Sequence, residues 1–247
     1  MSRLLLSFLP LLLAACASHD PKPDKQAAAS VTAELPDWSV RELPGKRQTR
    51  YGLANRAGRA CLLAEANQSA SLLRRPLDLD PQQLGRVEFD WWIAPDALLG
   101  HAAHEEPLDD APARLVLAFG GEEGRLSMRN RMLFELARTL TGEAPPYATL
   151  MYVWDAKAEP ESVIVNAHSD RIRKIVVGSG RSTGAWKRFS RDIASDFRKA
   201  FGEEPGRLVQ AAVMTDADNT KSRTEACYGR LQFLDPQQRE LPGGMSF

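Results

Sequence analysis

Two carboxylates stand close together in the stretch VMTDADNTKSRTEACYG (213–229), at Asp216 and Asp218, followed by Asn219 and Thr220. Alternating acids beside an amide and a hydroxyl are donor types from which calcium loops are built. An EF-hand loop also needs glycine at its sixth position and glutamate at its twelfth. Counted from Asp216, those positions are Lys221 and Cys227, so that loop is excluded. Two main readings remain. Asp216, Asn219 and Thr220 suit a tight surface turn, because their side chains hydrogen-bond the nearby backbone. Alternatively, Asp216, Asp218, Asn219 and Thr220 hold a structural calcium with backbone carbonyls, the one cofactor the sequence offers. The turn is the expectation, joining the penultimate and last strands with Asp216 and Thr220 holding its backbone, and its register placing Tyr228 and Leu231. A catalytic role for these acids is the third alternative.

Other chemistry has less support. In GHAAHEE (100–106) the glutamates follow His101 and His104, whereas zinc proteases place the glutamate between the histidines. A polar loop is the better reading. GSGRSTG (178–184) has the wrong glycine spacing for a dinucleotide or P-loop site, and no Gly-x-Ser-x-Gly elbow occurs. The 247 residues carry 32 basic and 32 acidic side chains, which gives no electrostatic steering toward nucleic acid.

The chain opens MSRLLLSFLPLLLAAC, one Arg followed by a short apolar run and small residues before Cys16. That run is too short to span a bilayer and reads as a signal peptide over 1–15. Leu13-Ala14-Ala15-Cys16 resembles the bacterial lipobox, which implies cleavage before Cys16 and its acylation. Several acyl chains on one residue anchor stably where one would not. Ala17, rather than Asp, after the cysteine implies passage to the outer membrane, facing the periplasm. Residues 16–34 are rich in Ala, Pro, Lys and Asp without apolar period, and read as a disordered tether.

The elements that must position the candidate residues are mainly short strands. Apolar or alternating segments recur at Ala60–Ala66, Ala70–Arg74, Arg86–Ile93, Ala113–Phe119, Thr149–Trp154, Val163–Asn166, Ile172–Val177, Leu208–Thr215 and Glu225–Leu234. Strands at this spacing predict a sandwich or barrel in a single domain over 35–234, with 235–247 as a flexible tail. Two short helices interrupt them. Met128, Met132, Leu136 and Leu140 recur every fourth residue between a Ser127 cap and Gly142, and that spacing predicts a core-facing stripe. Ile193, Phe197 and Phe201 form a second stripe, with Ser190 as its cap and Gly202 and Pro205 closing it.

Alternation puts Val87, Phe89, Trp91 and Ile93 on the core face of one strand, and Glu88, Asp90 and Trp92 on the other. If Trp92, Arg114, Tyr152 and Trp154 meet on one sheet, they form a surface on which sugar rings stack. The competing reading puts Tyr152 and Trp154 in the core, where aromatics dominate. Arg114 needs a buried partner, with Asp90 and Asp110 as candidates for a structural ion pair.

VEFDWWIA (87–94), DDAPARLVLAF (109–119), YATLMYVWD (147–155), RKIVVGSG (173–180), Trp186 with RDIASDFRKAFGEEP (191–205), and AAVMTDADNT…CYGRLQF (211–233) occur in this order. The ordered set resembles the bacterial secreted family known as domain of unknown function 3047, over nearly everything after the tether. The resemblance implies no activity. Its closing pattern is similar to jelly-roll carbohydrate-binding modules, and the fold implied is a mostly β, jelly-roll-like antiparallel sandwich. The family tends to carry a basic residue where Asp90 stands here.

With Cys16 acylated, Cys61 and Cys227 remain in an exported domain, on an early and a late strand. First and last strands of jelly rolls are often neighbours, so a disulfide is expected, against two buried free thiols. The functional expectation is an envelope lipoprotein that binds a saccharide or another envelope component without catalysis. The alternatives are a glycan hydrolase drawing paired carboxylates from Asp90, Asp155, Asp216 and Asp218, and a scaffold for a partner protein.

Overall fold

The structure is a computed structural model that describes residues 31, 34–95, 108–181 and 184–247. The expected signal segment, Cys16, most of the tether, His101 and His104 lie outside the described residues. The strands run, in chain order, β1 Ser39–Glu42, β2 Arg50–Arg56, β3 Arg59–Asn67, β4 Ser71–Leu79, β5 Arg86–Ile93, β6 Arg114–Phe119 and β7 Ala148–Asp155. They continue with β8 Val163–Val165, β9 Ile172–Ser179, β10 Trp186–Asp192, β11 Leu208–Met214, β12 Arg223–Leu234 and β13 Glu240–Met245. Helix α1 spans Met128–Thr141 and α2 spans Ile193–Phe201.

These strands build a jelly-roll-like sandwich of two sheets. One has the order β1-β4-β11-β6-β7-β9-β8 and the other β10-β5-β12-β3-β2, with β13 added along β12. Among the described residues, every pairing is antiparallel except β7 with β9, which is parallel. The core lies between the sheets. From β5 it takes Val87, Phe89, Trp91 and Ile93, the face that alternation assigns to it, and from the facing sheet Leu115, Leu117, Phe119, Leu150, Tyr152, Trp154, Ala211 and Val213. Phe89 stacks on Tyr152 across the gap with ring centroids 5.6 Å apart.

Four strands were not legible in the sequence, and each has a local reason. β1, β2 and β10 are outer strands of their sheets and present few apolar residues to a period-2 pattern. β13 contains Pro242-Gly243-Gly244, a turn signal by composition. It nevertheless pairs Leu231 with Met245 and Phe233 with Leu241, so the expected tail is part of the sheet. β4 runs past its expected end at Arg74 through Pro76, opposite a register shift between Leu208 and Gln210 of β11. A bulge accommodates the missing proline N–H.

The helices also depart from expectation. Asp192, not Ser190, caps α2, its carboxylate accepting from the Ser195 N–H at 2.8 Å. In α1 the Ser127 cap and the left-handed Gly142 stand where the sequence puts them. Its apolar stripe does not face the core. Phe134 and Asn130 are buried instead, and Met128, Met132, Leu136 and Leu140 face solvent.

Cys61 and Cys227 form a disulfide between the adjacent strands β3 and β12, with Cα atoms 5.7 Å apart. It closes a sequence separation of 166 residues. Replacing both cysteines by alanine is expected to lower unfolding stability by up to about 4–5 kcal/mol in denaturant titration. Peptide mapping of the unreduced chain should recover the two as one linked pair; free thiols at 61 and 227 would contradict the bond.

Candidate functional site

Two groups of chemistry-bearing residues form. The first lies at one end of the sandwich, where the segment 215–222 crosses from β11 in one sheet to β12 in the other. Arg114 starts β6 and is fully buried. Its guanidinium donates to both oxygens of Asp216 at 2.9 and 3.0 Å and to Asp109 at 3.1 Å. The partners anticipated from the sequence, Asp90 and Asp110, are not the ones used. Lys174 on β9 reaches Asp109 at 2.5 Å. Asp110 instead accepts the backbone N–H groups of Asn219 and Thr220 at 3.2 and 2.7 Å and the Thr220 hydroxyl at 2.7 Å. Asp218 takes Lys46.

DADNT lies in the connection from β11 to β12, which β13 follows, and this connection differs from the expected surface turn between the last two strands. Asp216 and Asp218 are buried rather than on the surface, the loop bridges two sheets rather than closing a hairpin, and Asp110 is the residue that holds its backbone. Tyr228 is fixed by it, its hydroxyl donating to the Met214 carbonyl at 2.5 Å and meeting Thr215 at 2.9 Å. Asp110, Asp216 and Asp218 offer oxygens within 4.8 Å of one another. Calcium takes 6–8 oxygens, and here two of the three carboxylates are already engaged by cationic side chains. Arg114 already occupies both oxygens of Asp216, and Lys46 occupies Asp218. A cation would have to displace both.

Burial pushes the Asp216 carboxyl up to about 6, with Asp110 adding to the rise and Arg114 opposing it. Burial lowers the Lys174 ammonium, and the neighbouring Arg114 charge lowers it further. The Arg114 guanidinium is held above its ordinary value by Asp216 and Asp109, against burial.

The second group lies on the outer face of the six-stranded sheet. Pairing of β10 with β5 sets Trp186 beside Trp92, and Arg188 beside Asp90. Trp92 packs on the disulfide and donates its indole N–H to the Gly184 carbonyl. The half-buried Trp186 reaches from β10 to the β2–β3 turn, where its N–H donates to the Arg56 carbonyl at 3.0 Å. Arg59 lies over its ring, 4.1 Å from the centroid. Gly229 on β12 makes this passage: a Cβ there would collide with Asp90 and come within 2.9 Å of the Trp186 ring. Asp90 is buried and accepts from Arg59 at 2.8 Å and from the Arg230 N–H at 2.9 Å, with Arg188 at 3.9 Å. The carboxylate at this position, where a basic residue was the family expectation, is thus the anchor of an arginine cluster.

The four residues of the expected ligand face do not come together. Tyr152 and Trp154 belong to the core, because pairing of β6 with β7 sets Leu115 opposite Tyr152 on the inner side. Arg114 is buried at the loop end, and only Trp92 lies on the aromatic face. Trp186 was the residue missed. Reading WKRFSRD as a strand would have put Trp186, Arg188 and Ser190 on one side.

The profile of the family described as a protein of unknown function, DUF3047, matches residues 36–232. The chain belongs to that family. No curated protein matches it. Among solved structures, this DUF3047 chain is similar to a family 11 carbohydrate-binding module from Clostridium thermocellum in complex with a β-1,3-1,4-mixed-linked tetrasaccharide. The identity is 10%, the coverage 86% of this chain and 92% of that one, and the TM-score 0.39. It is also similar to a thermostable cellulase derived from the Cel12A cellulase of Rhodothermus marinus, at 12% identity, 81% and 93% coverage and a TM-score of 0.41. A double-cysteine mutant of the ENZbleach xylanase matches at 8% identity, 83% coverage of each chain and a TM-score of 0.41. Scores and identities this low carry no argument about ligand or activity.

Two measurements check the loop network. Arg114→Met leaves Asp216 buried without its cation and is expected to cost about 3–5 kcal/mol in denaturant titration. Asp216 binds its proton more tightly folded, at about 6, than unfolded, near 3.8. Its contribution to stability is therefore full below about pH 4 and is lost as pH rises to about 6. Asp216→Asn removes that ionisation, so its thermal midpoint, measured against wild type from pH 4 to 7, should gain over this window. Parallel curves would contradict the raised value.

Proposed function

We propose that this protein is an envelope lipoprotein, anchored by acyl chains on Cys16, whose sandwich binds a saccharide without chemical turnover on the outer face of the six-stranded sheet. The observation that carries the reading is Trp186 held across that face beside Trp92, with Arg59, Arg188 and Asp90 around it. An indole offers an apolar plane for sugar C–H groups, and the guanidinium groups at its edge offer directional hydrogen bonds to hydroxyls. A sugar would take the place of Arg59 over the Trp186 ring.

Three further features support this reading. The disulfide suits an oxidising compartment outside the cytoplasm. The N-terminal sequence has lipoprotein character, with Cys16 after its apolar run. The four carboxylates that a hydrolase would draw on are engaged internally: Asp90 by Arg59, Asp155 by the N–H groups of Lys157 and Ala158, Asp216 by Arg114, and Asp218 by Lys46. Calcium has no part in this reading, and added calcium or chelator is expected to leave the thermal midpoint unchanged.

Glycan-array binding by wild type, Trp186→Ala and Arg59→Ala tests the proposal. Truncating Trp186 should weaken binding by at least about tenfold, the size of an interface hot spot. Equal binding by wild type and Trp186→Ala, or none by either, would sink the saccharide face. Acyl mass on Cys16, read by mass spectrometry, tests the anchor separately.

A further inference from the structure

Helix α1 wears its amphipathic pattern inside out. Met128, Met132, Leu136 and Leu140 are 67, 67, 55 and 70% exposed, and they fall every fourth residue on one side. The side turned to the protein carries Phe134 and a polar residue, Asn130, which is 3% exposed. Its amide donates to Asp170 at 2.6 Å and accepts from the Ser169 hydroxyl at 3.3 Å. The far end is held as well: Glu143, just beyond the helix, accepts from Arg74 at 3.0 and 3.2 Å and pairs with Arg41 at 3.4 Å. Both ends are pinned, and the apolar stripe is presented outward. Polar groups that fasten a helix while its apolar side meets solvent make sense if something apolar covers that side.

We propose that this stripe lies in the surface of an anionic lipid bilayer. Three observations select that occupant. Arg138 is paired with Glu123 and Glu135, but Arg129 and Arg131 make no ion pair among the described residues, so an anionic surface attracts the helix whereas a second copy of it repels it. The stripe is one side chain wide and about 18 Å long, well short of the roughly 800 Å² per partner that a stable protein interface buries. It suits a helix lying at headgroup depth. Finally, the chain enters the domain at this end: Arg41 of β1 is the residue that pairs with Glu143. A tether from Cys16 to residue 34 reaches at most about 60 Å when extended, which lets the helix settle beside its own anchor. No helix among the described residues is long and apolar enough to cross a membrane, so α1 lies on the bilayer rather than through it. The inference uses the lipid anchor of the proposed function for this last point alone.

The test is oxidation of Met128 and Met132 in the full chain by hydrogen peroxide, followed by mass spectrometry, with and without vesicles of phosphatidylethanolamine and phosphatidylglycerol. Vesicles should slow oxidation of both residues by about fivefold or more. The double variant Met132→Glu, Leu136→Glu changes only exposed positions and should keep the wild-type thermal midpoint. In it, Met128 should oxidise at the vesicle-free rate. Unchanged oxidation of wild type on vesicles would overturn the inference, whatever the acyl mass on Cys16. Protection that needs no vesicles and grows with protein concentration would assign the stripe to a second copy and overturn it equally.

Discussion

A two-sheet sandwich must let its chain cross from one sheet to the other without leaving backbone groups or charges stranded at the edge of the core. Here that crossing is the segment between β11 and β12, and the Arg114–Asp216 pair makes it possible. The guanidinium sits on both oxygens of one carboxylate and on a second, Asp109, and the Asp216 carboxylate also accepts the Ala111 N–H at 2.9 Å. One ion pair thereby joins the start of β6, the segment before it and the crossing loop. Asp110 does the same for the loop's own N–H groups. Buried charges of this kind are costly to bring out of water and still more costly to leave unpaired, so the cluster holds one arrangement. The position of Tyr228, and through it β12 across from β6, depends on that arrangement.

β12 then carries the consequences to the other sheet. It pairs with β5 on one side and with β3 and β13 on the other, and it bears Cys227 of the disulfide. Its Gly229 opens the space through which Trp186 reaches across the outer face. The aromatic face is therefore built from both ends: by the register of β10 on β5, and by the absence of a side chain on the strand beneath. Asp90, buried under the arginines, sets where Arg59 can lie.

Helix α1 shows how far tertiary contacts can override an amphipathic pattern. Its stripe has the spacing of a core face, yet Phe134 in the core and two polar attachments, Asn130 with the β8–β9 loop and Glu143 with β1 and β4, hold that stripe outward. Hydrogen bonds and ion pairs at the ends of a short helix fix its rotation about its own axis, a degree of freedom that periodicity leaves open.

What the sequence by itself determined was local. Strand alternation in VEFDWWIA assigned Phe89 and Trp91 to the core and Trp92 to the other face, because side-chain direction along a strand depends only on position. The cap at Ser127 and the left-handed Gly142 were readable for the same reason, since caps involve neighbours within a turn. The ordered motifs pointed to the family, and the cysteines to their bridge. What only the tertiary structure decided was every choice of partner across the fold. Arg114 took Asp216 and Asp109, 102 and 5 residues away, rather than Asp90 or Asp110. Tyr152 and Trp154 turned inward once β6 lay beside β7, and Trp186 joined Trp92 only because a polar outer strand paired with β5. Register between strands distant in the chain is set by how a whole core closes, and no window of the sequence contains it.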